Sequence, residues 1–267
     1  MKKHFFLPLL FPFTAAAQQA PAIVQGVYNK TKSVAVSLYE VKDGEREEFA
    51  KTRLSAGNRF AFQLPAPKAG FYYIGNDVQR GGIRIYLTPG AKLKLLITDS
   101  GYQVNNPSAE SKLLLEWETL RAPLRAMSRS MFNDNTQYRR MADTGTWRSF
   151  FPMLEAMLPK AEAFKKKINS SNKAFNELLR FTVDADMQTM AVSFLLQPRT
   201  AHPQKTDYPA YYQSISKSNI LHTTGIYALG EGQDFLSGFP TFKMMQAGQI
   251  PEEDRIFAFI VEQVAND

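Results

Sequence analysis

The chain has 267 residues, a formal net charge of +7 and no cysteine. Without a thiolate it cannot perform thiol–disulfide exchange by itself, and cysteine zinc knuckles and lipid-modified cysteine anchors are excluded by count. The basic excess is mild for this length and spread along the chain, so it favours solubility but is no nucleic-acid footprint.

The N-terminus reads as a secretory signal peptide. Lys2 and Lys3 form a positive flank, and Phe5, Phe6, Leu7, Leu9, Leu10, Phe11 and Phe13 form an apolar run broken by Pro8 and Pro12. Ala15, Ala16 and Ala17 supply the small residues of a cleavage site. Cleavage is expected after Ala17, leaving residues 18–267 as an exported, periplasmic protein. No later segment reaches about 18 uninterrupted apolar residues, so no membrane-spanning segment is expected in the mature chain.

From residue 22 to 98 apolar residues alternate. Val34, Val36 and Leu38 are followed by Phe60, Phe62 and Leu64, then Ile83, Ile85 and Leu87, then Leu93, Leu95 and Ile97. A period of two predicts half-buried strands. Turn residues punctuate them at Asp43-Gly44, Gly57-Asn58, Gly81-Gly82 and Pro89-Gly90. About seven strands are expected, packed as an antiparallel β-sandwich over residues 18–104.

After Asn105 the period lengthens, predicting an α-helical domain over residues 105–267 and hence an α+β fold class. Leu113, Trp117, Leu120, Leu124, Met127 and Met131 line one helix face, with Ser108 as cap, Glu110 in the first turn and a kink or break expected at Pro123. Phe150, Leu154, Met157, Ala161, Phe164 and Ile168 make a second stripe with Pro159 inside it. Phe175, Leu179, Val183, Met187, Met190 and Phe194 make a third, stopped by Pro198. Residues 197–238 are rich in Pro, Tyr, Ser and Gly and predict short helices joined by loops. A last helix is expected from Pro251, with Ile256, Phe259 and Ile260 facing inward. The Ser- and Asn-containing stretch 98–108, with Asp99, Ser100, Gly101, Asn105, Asn106 and Pro107, reads as a junction between separable halves, open to proteolysis.

The residues offer little chemistry. His202 and His222 are separated by twenty loop-like residues, a poor metal pair, so no metal is expected. No GxSxG elbow is present to support a Ser-His-Asp triad. Gly225 to Gly230 lacks the third glycine and preceding strand of a dinucleotide fingerprint, so no cofactor is expected. Asp184 and Asp186, two apart on a helix, point to different faces and make a poor acid–base pair. Lys165, Lys166 and Lys167 suit a solvated helix end. The chain is therefore expected not to be an enzyme. Tyr72, Tyr73, Tyr208, Tyr211 and Tyr212 are the candidate surface for a ligand or partner, with packing into a core as the plainer reading.

The order of motifs resembles a known family. Arg59-Phe60-Ala61-Phe62, Ala69-Gly70-Phe71-Tyr72-Tyr73-Ile74 and Ile83-Arg84-Ile85-Tyr86-Leu87-Thr88-Pro89-Gly90-Ala91-Lys92-Leu93 follow in close succession, and Asn106-Pro107-Ser108-Ala109-Glu110-Ser111 leads into helix. This is similar to the N-terminal β-rich domain of unknown function, with its helical region, in exported TlpA-like, AhpC/TSA-type thioredoxin-family proteins of Gram-negative bacteria. The resemblance implies a thioredoxin-like domain with a CxxC motif beyond Asp267, so the chain is expected to be truncated before it or to act beside a separate redox protein. It implies a noncatalytic accessory region of a periplasmic thiol–disulfide system, orienting that domain in cis or in trans or engaging its client. The family's catalytic residues have no counterpart in this chain. The alternative is a stand-alone cell-envelope binding module for a glycan or peptide. A hydrolase with an unrecognised site is the third reading.

Overall fold

The computed structural model describes residues 20–76, 82–129, 147–197, 202–220 and 223–248. The expected signal segment, the helix expected from Pro251, Met131, Pro198 and His222 lie outside the described residues. Two four-stranded sheets are followed in the chain by five α-helices, a mixed α/β layout. The strands are β1 (Ala22–Asn29), β2 (Ala35–Lys42), β3 (Glu45–Arg53), β4 (Arg59–Leu64), β5 (Gly70–Gly75), β6 (Ile83–Leu87), β7 (Lys92–Thr98) and β8 (Gly101–Asn105). The first sheet has the order β4-β1-β7-β8 and the second β3-β2-β5-β6.

The sheets are not wholly antiparallel. β1 and β7 run parallel, from Ile23 opposite Lys92 to Asn29 opposite Thr98. Parallel neighbours need a long crossover, and here the chain between them builds the whole second sheet before returning. β8 corrects a second expectation. Much of the stretch read as an open junction is a strand, hairpinned to β7 with Thr98 opposite Gly101. The Asp99 carboxylate in that turn accepts hydrogen bonds from the Thr31 amide at 3.2 Å and hydroxyl at 2.5 Å. Only Asn106, Pro107 and Ser108 remain as connection.

The second sheet is a middle layer. One of its faces gives Val36, Leu38, Tyr72, Ile74, Ile85 and Leu87 to a cluster shared with Val24, Tyr28, Phe60, Phe62, Leu93, Leu95 and Ile97 of the first sheet. Its other face gives Tyr39, Phe71, Tyr73 and Tyr86 to the cluster of the helices. Burial on both faces explains why Phe71, Tyr72, Tyr73 and Ile74 are consecutive and all buried, where a one-sided strand would alternate. Each such side chain contributes about 1.5–3 kcal/mol when removed from water. β3, at the sheet edge, is mostly exposed and rich in Glu, Lys and Arg, which discourages pairing with other chains. Val34, expected inward with Val36, precedes the strand and is 80% exposed.

The second and third helices follow their stripes closely. The buried face of the first is instead Ser111, Leu114, Trp117, Arg121, Leu124 and Ser128, with Leu113, Leu120 and Met127 of the expected stripe only half-buried at its edge. α1 (Ala109–Ser128) is capped by Ser108, whose hydroxyl accepts the Ser111 amide at 3.2 Å. It runs unbroken through Pro123. The lost backbone bond is offset by packing on both sides of that turn, where Trp117 and Leu124 are buried. α2 (Trp147–Lys167) likewise contains Pro152 and Pro159, and it buries Phe150, Leu154, Met157, Ala161 and Phe164. α3 (Lys173–Leu196) is capped by Asn172 and buries all six residues of its expected stripe. Short helices follow as expected, with α4 at Tyr211–Ser216 and a 3-10 turn at Thr224–Ala228. α5 (Gly232–Ala247) was not foreseen, because Gly238 and Pro240 obscure the stripe of Phe235, Phe239 and Phe242; it ends on Gly248 at φ 78°. No helix of the described residues is long and apolar enough to cross a membrane.

Candidate functional site

The most concentrated polar chemistry lies where the middle sheet meets the helices. Arg84 on β6 stands opposite Tyr73 on β5, both on the helix-facing side. The Arg84 side chain is 1% exposed, yet every arm of its guanidinium is engaged. Nη1 and Nη2 donate to the two Asp186 oxygens at 2.9 and 3.1 Å, Nη2 also donates to Glu231 at 3.1 Å, and Nε donates to the Tyr73 hydroxyl at 3.1 Å. A planar, bidentate pair of this kind is the strongest form of charge-assisted hydrogen bond.

Asp186 sits in mid-α3 and is the second hub. Beyond Arg84 it accepts the Trp117 indole N–H at 2.7 Å and lies 3.3 Å from Arg121 Nη1. Arg121, one turn after Trp117 on α1, in turn grips Glu118 through Nε and Nη2 at 2.6–3.1 Å. Glu231, just before α5, is the third hub. It accepts from Tyr73 at 2.8 Å and from Arg46 on β3 at 2.5 Å. The Arg46 guanidinium lies 4.1 Å from the centre of the Tyr73 ring, a cation–π contact.

Local geometry brings these distant segments together. Asp43 and Gly44, at φ 50° and 82°, form the two-residue turn between β2 and β3, the left-handed pair that a tight hairpin requires. That turn docks on the start of α5: the Gly44 amide donates to the Tyr227 carbonyl, and the Gln233 amide donates to the Gly44 carbonyl, at 3.0 and 3.1 Å. Gly232 packs against this turn so closely that a side chain there would strike the Ile226 carbonyl. The contact fixes Glu231 over Arg46 and Tyr73.

Burial would push the Asp186 and Glu231 carboxyls up, but the surrounding guanidiniums win. Arg121 and Arg84 hold Asp186 below the usual carboxylate range; Arg84, Arg46, Arg121 and Arg125 hold Glu231 well below it. Burial pushes the Tyr73 phenol up to about 12, opposed by Arg84. Both acids are therefore ionised and Tyr73 is a protonated donor at neutral pH. The network sets four guanidiniums, of which Arg125 is the most distant, against three carboxylates and presents no nucleophile. Chemically it is a clamp between sheet and helices.

The five candidate tyrosines do not form one surface. Tyr72 lies in the core between the sheets, its hydroxyl donating to the Lys68 carbonyl at 3.2 Å. Tyr73 points the opposite way into the clamp. Tyr212 is buried and donates to the Ala191 carbonyl at 2.9 Å. Tyr208 and Tyr211 are half-buried against the helical core, with Tyr208 tilted on Tyr212 at 5.3 Å. Their apolar rings are held by packing, which leaves little aromatic face for a partner. Asp184 and Asp186 part as expected: Asp184 pairs with Lys165 at 2.7 Å. His202 is exposed. Among the described residues no group of three or more His, Asp or Glu side chains could hold a metal.

The clamp was missed because each member was read singly. The available signal was a charge on an apolar face: Arg121 four residues after Trp117, Asp186 three after Val183, Arg84 two before Tyr86. No protein-family model matches the chain, and no curated protein is significantly similar to it.

Proposed function

We propose that the chain is a noncatalytic accessory module of an exported thiol–disulfide oxidoreductase system, which orients a thioredoxin-like domain, in cis or in trans, or engages its client. In this reading the two sheets form a β-sandwich, and the helices behind them complete one stiff body. The observation that carries it is the clamp: six charged side chains from both sheet and helix segments are spent on holding the layers in a fixed relation. That supports a part whose task is geometry rather than turnover. Having no cysteine, the chain must borrow the thiolate from a partner. Export rests on the N-terminal pattern, with cleavage after Ala17 leaving Gln18 first.

The deciding experiment measures disulfide reduction by a thioredoxin-like domain from the same genome, with and without this chain, on several folded clients. The chain alone is expected to give background activity, and its addition to shift rate or client choice. Unchanged rates with every such domain would sink the accessory reading. Intact mass of protein recovered from the periplasm tests the cleavage site.

The alternative, a stand-alone binding module for an envelope glycan or peptide, draws on a different surface from the tyrosines. The outer face of the first sheet carries a groove of about 720 Å³ lined by Gln25, Arg53, Arg59, Lys94 and Asn105, with no acidic residue. Retention of the chain on purified envelope glycan, lost in an Arg59→Gln/Lys94→Gln double variant, would favour it.

A further inference from the structure

Arg125 stands apart in the clamp. Its nearest carboxylate, Glu231, lies 3.8 Å away and already accepts from Arg46, Arg84 and Tyr73. Among the described residues the Arg125 guanidinium makes no closer ion pair. Its like-charged neighbours on α1 are Arg121, itself committed to Glu118, and Arg129. Burial and these two cations pull its pKa down to about 10, so its charge is poorly balanced by the protein. The side chain nevertheless keeps 23% of its surface open.

That open surface faces a cleft. Between the β7–β8 hairpin and α1 lies a cavity of about 450 Å³, within the size range of small-ligand sites. Arg125 forms part of its wall and Lys30 adds a second cation, while the Thr98 and Thr119 hydroxyls there donate to the Gly101 and Leu115 carbonyls. Glu118 also lines it, but that carboxylate is neutralised by the two-pronged grip of Arg121 and by Arg84 at 3.3 Å. The cleft thus joins one undercompensated guanidinium, whose planar fork suits an oxyanion, to a second cation, Lys30.

We propose that this cleft is a binding site for a small ligand bearing a carboxylate or phosphate group, seated on Arg125, with Lys30 as a second cation on the same wall. The ligand supplies the negative charge that Arg125 lacks, so binding stabilises the junction of sheet and helices. The site is independent of the accessory reading: a redox partner's effect and anion binding can each fail alone.

The test uses the whole mature chain. Inorganic phosphate and succinate are titrated separately by calorimetry and by thermal unfolding, with sodium chloride holding ionic strength constant. Saturable binding and a raised Tm are expected for at least one probe, and which probe binds identifies the group. Arg125→Gln should weaken that binding by about tenfold or more while remaining folded, because Glu231 keeps its closer donors Arg46, Arg84 and Tyr73. Lys160→Gln, an exposed residue on α2 away from the cleft lining, should leave it unchanged. No saturable binding of either probe by the wild type would overturn the proposal, as would equal binding by Arg125→Gln.

Discussion

The two faces of the middle sheet are held by different physics. Toward the first sheet, Val36, Leu38, Tyr72, Ile74, Ile85 and Leu87 meet a surface of Val, Phe, Leu and Ile side chains, and cohesion there is the removal of hydrocarbon from water. Toward the helices, the rings of Phe71 and Tyr73, 5.4 and 5.8 Å from the Arg84 guanidinium, border a cluster of guanidiniums and carboxylates. A hydrocarbon core is tolerant: apolar residues of suitable volume can replace one another with modest loss. A buried ionic cluster is brittle, because removal of one member leaves its partners charged and desolvated. One sheet therefore carries a forgiving interface on one side and an exacting one on the other.

Asp186→Ala puts the contrast to its hardest test. It strips Arg84 and Arg121 of a shared carboxylate and Trp117 of its acceptor. The expected loss is about 3–5 kcal/mol in urea unfolding. A loss under about 1 kcal/mol would mean that the clamp holds nothing. Leu95→Ala, in the hydrocarbon layer, should cost about 2–5 kcal/mol, with Leu95→Met much milder. No equally mild replacement is expected at Asp186, Asn included.

Acid separates the two faces differently. Asp186 and Glu231 have native pKa values below those of the unfolded chain, which lie at about 4. At pH above the unfolded values both states are ionised and the clamp contributes in full. Below them the unfolded chain binds protons that the native state refuses, so stability falls with pH and the contribution is gone once pH passes beneath the native values. The Tm is expected to hold between about pH 7 and 5 and to drop below about pH 4. Asp186→Asn should start lower but fall less steeply over that acid range. A parallel fall in both proteins would assign the acid sensitivity elsewhere.

The smallest effect is expected at Tyr73→Phe. The ring keeps its packing, but Glu231 loses a donor at 2.8 Å, and the Gly230 amide and Arg84 Nε lose an acceptor. A loss of about 1–3 kcal/mol follows from unmet buried polar groups. No loss would place the hydroxyl outside the clamp's working parts.

The same contrast governs what could be read from the sequence. Phe60, Phe62, Leu64, Leu93, Leu95 and Ile97 alternate because the first sheet has one wet face, so their strands were legible. Phe175, Leu179, Val183, Met187, Met190 and Phe194 lie on one helix face and were legible for the same reason. β5 was harder because both of its faces are dry, so periodicity is lost. Tyr72 and Tyr73 looked like a pair, yet a pleat sends neighbours to opposite sides. The clamp was illegible because its order is three-dimensional. Asp186 acquires meaning only beside Arg84, which is 102 residues away in the chain. Short-range patterns carry no trace of such a meeting. The parallel β1–β7 pair escaped for the same reason.

The turn of Asp43 and Gly44 against the start of α5 has a consequence for the chain as it is made. Arg84 emerges from the ribosome 147 residues before Glu231. At roughly 5–20 residues per second that gap is on the order of 7–30 seconds. For that time Arg46 lacks the carboxylate that balances it, and Arg84, which gains Glu118 and Asp186 sooner, still lacks Glu231. Two strong cations on the future inner face resist early burial of that face in the wrong place. The nascent sheets are thereby kept wet on one side until α3 and the Glu231 segment arrive, and the last charge to be synthesised is also the one that closes the fold.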